Sequence, residues 1–147
     1  MISERTRELL LSVKDLIQDN NFEDAYVNMY MWMNGGATIE ELRDVTLALY
    51  SAGVNPLKYM HFVPTAFLSD YDGHGEKYLI PENIKQIASF SFSNVSDIVL
   101  YINGDNLQTV YTTAFYNSKM KIICSQAVKE QIENGCTEIK DIEFEVV

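Results

Sequence analysis

Apolar and polar positions divide this chain into two halves with different periods. In the first half, Leu9, Leu10, Val13, Leu16 and Ile17 share one face of a helix expected over residues 3–18. Phe22, Ala25, Tyr26, Met29, Tyr30, Trp32 and Met33 form a broader apolar band over residues 22–33, a core-facing pattern for a second helix. Asn20-Asn21 separates the two, with Ser3 and Asn21 as their N-caps. After Gly35-Gly36, Thr38-Ile39-Glu40-Glu41 reads as a capping box, in which hydroxyl and carboxylate each accept from the other's backbone amide. It opens a third helix with Ile39, Leu42, Val45, Ala48 and Leu49 along its buried stripe. Gly53 supplies the left-handed residue past its end, and Asn55-Pro56 starts a short fourth helix that stops before Pro64.

In the second half the period changes. Short β-rich runs return at residues 78–80, 98–102, 120–124 and 144–147. Between them Ile84, Ile87 and Phe92 recur as Leu107, Val110 and Phe115, each 23 residues on, and Ser91-Phe92 is matched by Ala114-Phe115. A unit of this size cannot bury its apolar side alone, so successive units must stack. After Cys124 the pattern lapses. Ser125 caps a helix through Ala127, Val128, Gln131 and Ile132, closed by Asn134-Gly135. The chain then returns as a strand in which Glu143 and Glu145 alternate with Ile142, Phe144 and Val146, so that one face is wet.

Charge narrows the possible partners. The 147 residues carry a formal net charge of −10, which opposes direct binding to nucleic-acid phosphates or anionic membranes and permits a basic protein partner. Between Lys14 and Lys58 stand Asp15, Asp19, Glu23, Asp24, Glu40, Glu41 and Asp44 against Arg43 alone, and from Glu130 onward six acids face Lys140. Helix caps and first turns account for several of these acids singly; together they make two acidic blocks. No apolar run is long enough to span a membrane and the N-terminus lacks a signal-peptide pattern, so a cytoplasmic location is expected.

Candidate chemistry is sparse. Cys124 and Cys136 are too few and too far apart for a disulfide framework or a zinc site. Asp70-Tyr71-Asp72-Gly73-His74-Gly75-Glu76 places Asp70, Asp72 and Gly75 as an EF-hand loop would, but His74, Lys77 and Pro81 occupy positions that need an oxygen ligand, an apolar residue and a bidentate Glu. The stretch reads as a flexible connector, residues 69–76. Neither His61 nor His74 has a Cys or Ser partner at a familiar spacing, and no phosphate-binding glycine loop is present. No catalytic residue, metal site or cofactor is expected, and the chain is read as not an enzyme.

Residues 78–92, Tyr-Leu-Ile-Pro-Glu-Asn-Ile-Lys-Gln-Ile-Ala-Ser-Phe-Ser-Phe, resemble a BspA-type leucine-rich repeat, whose units run apolar-Ile-Pro, Ile-x-x-Ile, then a small residue before Phe. Ser91 stands where that pattern has alanine, and Asn103-Gly104 replaces the second Ile-Pro. Gly53-Val54-Asn55-Pro56-Leu57-Lys58-Tyr59, with Val63-Pro64 and Phe67, is similar to the helical segment that precedes short arrays of this kind in small bacteriophage proteins. The resemblance implies an α+β fold: an N-terminal helical bundle, 1–68, packed on a short leucine-rich-repeat β-solenoid with a C-terminal helix-strand cap, 77–147. It also implies a viral origin.

The function expected from these readings is protein–protein interaction, in a sharper form the inhibition of a host defence protein such as a nuclease complex through an acidic, nucleic-acid-mimicking face. Candidate contact residues are the acids Asp15, Asp19, Glu23, Asp24, Glu40, Glu41, Asp44, Glu143 and Glu145, with Tyr101, Tyr111 and Tyr116 as aromatic anchors. The alternative is a virion, assembly or other structural role, with a homodimer formed by pairing residues 144–147 across a two-fold axis.

Overall fold

The computed structural model describes residues 38–147 apart from 52, 54 and 140, and before them only Glu4, Glu8, Leu11, Asp15 and Asp19. The chain divides into two units, Met1–Met60 and His61–Val147. In the first, Glu4, Glu8, Leu11 and Asp15 have helical backbone, within the first expected helix, and the second expected helix lies outside the described residues. Helix α1, Ile39–Ser51, starts at the capping box: Thr38 N–H donates to Glu41 Oε1 at 3.2 Å and Glu41 N–H to Thr38 Oγ1 at 3.1 Å. Val45 and Leu49 are buried on its stripe, while the side chains of Ile39 and Leu42 are outside the description. Gly53 follows at φ 80°. Asn55 then caps a 3-10 helix, Pro56–Tyr59, its Oδ1 accepting from Leu57 N–H at 3.0 Å and from the Tyr50 hydroxyl at 3.2 Å.

The second unit is built from parallel strands. Ile98, Leu100 and Ile102, and further on Met120 and Ile122, alternate along their strands and are buried. Strands β2 (Asp72–Ile80), β4 (Ser96–Ile102), β6 (Lys119–Cys124) and β7 (Asp141–Val146) form one sheet in that order. The two-residue strands β1 (Phe62–Val63), β3 (Gln86–Ile87) and β5 (Thr109–Val110) form a second. Ile87 pairs with Val110, so the 23-residue recurrence is the register of β3 on β5. Tyr78, Leu100, Ile122 and Phe144 lie in one cross-strand row of the larger sheet. Helix α2, Gln126–Gly135, begins where expected, with Ser125 Oγ accepting from Val128 N–H at 3.2 Å and donating to Asp105.

The expected α+β fold, a helical bundle packed on a leucine-rich-repeat β-solenoid, is corrected by this arrangement. From residue 38 on, the described residues hold two parallel sheets and two α-helices, one of only ten residues, which is an α/β fold with neither solenoid nor bundle evident. The C-terminal helix and strand are not a separate cap. β6, α2 and β7 are consecutive, and β7 pairs parallel to β6, so α2 is the crossover that a parallel pair requires. The connector is corrected too: residues 72–76 are the first part of β2, bulged against β4 between Asp72 and Glu76.

Rings and hydroxyls fill the interior. Phe92 is fully buried, with Phe115 stacked on it at 5.4 Å and Phe67 edge-on at 5.9 Å. Buried serines close the adjoining turns by donating to carbonyls: Ser91 to Ala88 at 2.6 Å and Ser118 to Phe115 at 2.7 Å. Ser91, the departure from the alanine of the repeat pattern, thus has a partner for its buried hydroxyl.

Candidate protein-binding surface

The turn after β3 sends two neighbouring phenylalanines in opposite directions. Phe92 enters the ring stack, whereas Phe90 adopts φ 58°, a left-handed conformation that is rare for a bulky residue. Hydrogen bonds hold its backbone there. Its N–H donates to Thr113 O at 3.1 Å, and its carbonyl accepts from Ala66 N–H at 3.3 Å and from the Ser69 hydroxyl at 2.6 Å. The Ser93 hydroxyl lies 2.8 Å from that of Ser69, so two buried side chains brace the same carbonyl. The Phe90 ring is left 43% exposed and meets Tyr116, 39% exposed, edge-on at 6.0 Å.

Beside Tyr116 runs a polar ladder. Asn117 donates to the Asn94 side chain at 2.8 Å and Asn94 to Asp70 at 3.1 Å, all three residues having positive φ. Short side chains with a local hydrogen-bonding group tolerate that conformation best, which is why Asx residues recur here. Together the ladder and the two rings make an apolar spot on a firm backbone with a polar border.

The predicted contact residues fall on several elements of each unit. Asp15 and Asp19 are exposed and one turn apart, Asp19 N–H donating to Asp15 O; Glu23 and Asp24 lie outside the described residues. Glu40 is exposed at the start of α1, Glu41 is engaged in the capping box, and Asp44 lies 3.5 Å from Arg43 Nε. Tyr101 is half-buried on β4, in a row that runs Leu79, Tyr101, Ile123, Glu145 across the larger sheet. Glu143 occupies the neighbouring row with Lys77, Val99 and Lys121, and Lys121 Nζ is 3.2 Å from Glu145. Tyr111 and Tyr116 are exposed in the turn after β5, away from those rows. Sequence reasoning missed Phe90, because Ser89-Phe90-Ser91-Phe92 reads as simple alternation. The ladder did leave a signal, Asx residues at positions 70, 94 and 117.

Titratable groups here serve packing. The Glu76 carboxylate accepts from the Tyr71 hydroxyl at 2.9 Å and the Tyr78 hydroxyl at 2.7 Å, closing the β2 bulge. Burial, and then the hydrogen bond to Glu76, push the Tyr78 phenol well above its ordinary value. His74 lies 3.8 Å from Asp72, both exposed, and among the described residues no cluster of His, Cys, Asp and Glu is arranged to hold a metal ion. Burial raises the Cys124 thiol and pushes Cys136 up to about 11, its Sγ lying 3.6 Å from the Tyr111 carbonyl. Both thiols are therefore expected to react slowly with iodoacetamide at pH 8, and to react at the rate of a free thiol once urea unfolds the chain. Because the unfolded Cys136 thiol ionises first, its contribution to stability is full below about pH 9 and falls as pH rises towards about 11, which denaturation at pH 8 and 10.5 would detect.

Among the described residues no helix is long and apolar enough to cross a membrane. No protein-family model, curated protein or solved structure matches the chain.

Proposed function

We propose that the chain is a non-enzymatic protein-binding module in which Phe90 and Tyr116 are the anchors that enter the partner. The observation that carries this reading is a solvent-facing aromatic residue held at positive φ by buried hydrogen bonds. That conformation costs about 1–2 kcal/mol for a residue with a Cβ, a cost that glycine avoids and asparagine lessens. The exposed ring recovers little of it within the fold. A partner pocket that desolvates the ring would recover more, and aromatic residues are favoured in that role.

The narrower form of the proposal makes the partner a host protein with a basic surface and the chain its inhibitor, for example of a nuclease-based defence complex met by a phage. The net charge of −10 and the resemblance of residues 53–67 to phage-protein segments support it.

Affinity capture from a bacterial lysate tests both forms. The wild-type chain is expected to retain a stoichiometric partner, and Phe90→Asn with Tyr116→Ala to weaken that retention at least tenfold. Phe90→Asn should change folding stability by no more than ~1 kcal/mol, since backbone relief offsets the lost ring pair. Undiminished retention by the double variant would remove these anchors, and turnover of any lysate component would replace the module with an enzyme.

A further inference from the structure

β7 is the last strand of the four-stranded sheet, and among the described residues no strand pairs with its outer edge. Val147 N–H donates to Cys124 O at 3.1 Å, which sets the phase of the ladder. In a parallel pair the N–H and C=O of one residue face the same neighbour and alternate residues face opposite ways. Glu143 and Glu145 therefore bond to β6, while Ile142, Phe144 and Val146 direct their backbone groups outward. Val146 is 43% exposed, and Ile142 and Phe144 are only half-buried.

The side chains along this edge discriminate between occupants. Glu143 and Glu145 project to one face, Ile142 and Phe144 to the other, where Lys129 Nζ sits 5.9 Å from the Phe144 ring centroid. A second copy, paired antiparallel about Phe144, would set each Glu143 against a Glu145 of the other copy. Directly opposed like charges disfavour such a pairing, a common protection of sheet edges. A strand with cations on the glutamate face meets no such opposition. Lys121 already pairs with Glu145 from the β6 side, and Glu143 and Asp141 are exposed. A one-residue slip would move the incoming cations beside Lys129, so the charges also select the register.

We propose that the β7 edge accepts one extended segment of a basic protein as a fifth strand, with lysine or arginine opposite Glu143 and Glu145 and aliphatic side chains beside Ile142 and Phe144. This deepens the protein-binding reading by naming the partner's chemistry, and it does not require the Phe90–Tyr116 pair.

The test uses the full chain and a fluorescein-labelled decapeptide of alternating lysine and valine, read by fluorescence anisotropy. Saturable binding that weakens as salt rises is expected, with at least tenfold loss on Glu143→Lys combined with Glu145→Lys and none for a glutamate–valine peptide. Two further peptides separate strand pairing from simple attraction, one N-methylated on its lysine amides and one on its valine amides. One is expected to lose binding at least tenfold and the other to keep it, because only alternate amides face the edge. Equal binding by both methylated peptides, or no loss with the two lysine substitutions, overturns the proposal. So does a dimer at neutral pH that Phe144→Pro dissolves. The assay uses purified protein, so its failure leaves the aromatic-anchor reading to stand or fall on lysate capture.

Discussion

Phe92→Ala is expected to destabilise the fold by about 3–5 kcal/mol, among the largest single effects available in the described residues. The Phe92 side chain is fully buried against Phe67 and Phe115, and alanine would leave a void between the stacked Phe115 ring and the edge-on Phe67 ring. The neighbours cannot close over it cheaply. The three turns that carry these rings are tied together by Phe92 N–H to Ala114 O at 2.9 Å and Leu68 N–H to Ser91 O at 3.0 Å. The lost contacts add the stacked and edge-on pair terms, about 0.5–1.5 kcal/mol each, to the transfer free energy. Urea unfolding of the variant would measure the effect. A loss under about 1 kcal/mol would mean that the interior collapses around the void far more easily than this backbone allows.

The second large effect is expected at Gly73→Ala, at about 1–3 kcal/mol. A Cβ there would overlap Ile98 Cγ2 and come within 3.0 Å of Asp97 O, and Ile98 is a buried residue of β4. The glycine is needed because the β2 bulge brings its backbone directly over the β4 side chain. Deleting the obstacle should reveal the coupling. In an Ile98→Ala background, already weakened by its own cavity, Gly73→Ala should cost at least ~1 kcal/mol less than in the wild type. A thermal double-mutant cycle reads this directly, and strictly additive losses would show that the clash is relieved elsewhere. Gly75 makes a useful contrast: its added Cβ would meet open space, but its φ of 83° would still strain any other residue.

Corrections to the sequence reading trace to interactions that span the chain. Residues 69–76, with two glycines and three acids, look like a connector by composition. Of these, 72–76 become strand because β4 supplies a parallel partner and because Glu76 is gripped by two tyrosine hydroxyls. The expected terminal cap was a local inference from a helix followed by a strand. The parallel register of β7 on β6 turns the same two elements into a crossover within the sheet. Nothing in a serine-phenylalanine alternation announces the positive φ of Phe90.

What the sequence determined by itself was local or periodic: the capping box at Thr38, the left-handed Gly53, the Ser125 cap, the aliphatic runs of the larger sheet, and the interval at which Ile87 meets Val110. Each depends on side chains a few residues apart or on a repeated spacing, both of which survive in one dimension. Only the tertiary structure decided which fold class those elements compose, which of Phe90 and Phe92 faces water, and which strand ends the larger sheet. Those outcomes depend on backbone groups more than twenty residues apart finding one another, and the identity of a side chain carries no record of its neighbour's hydrogen bonds.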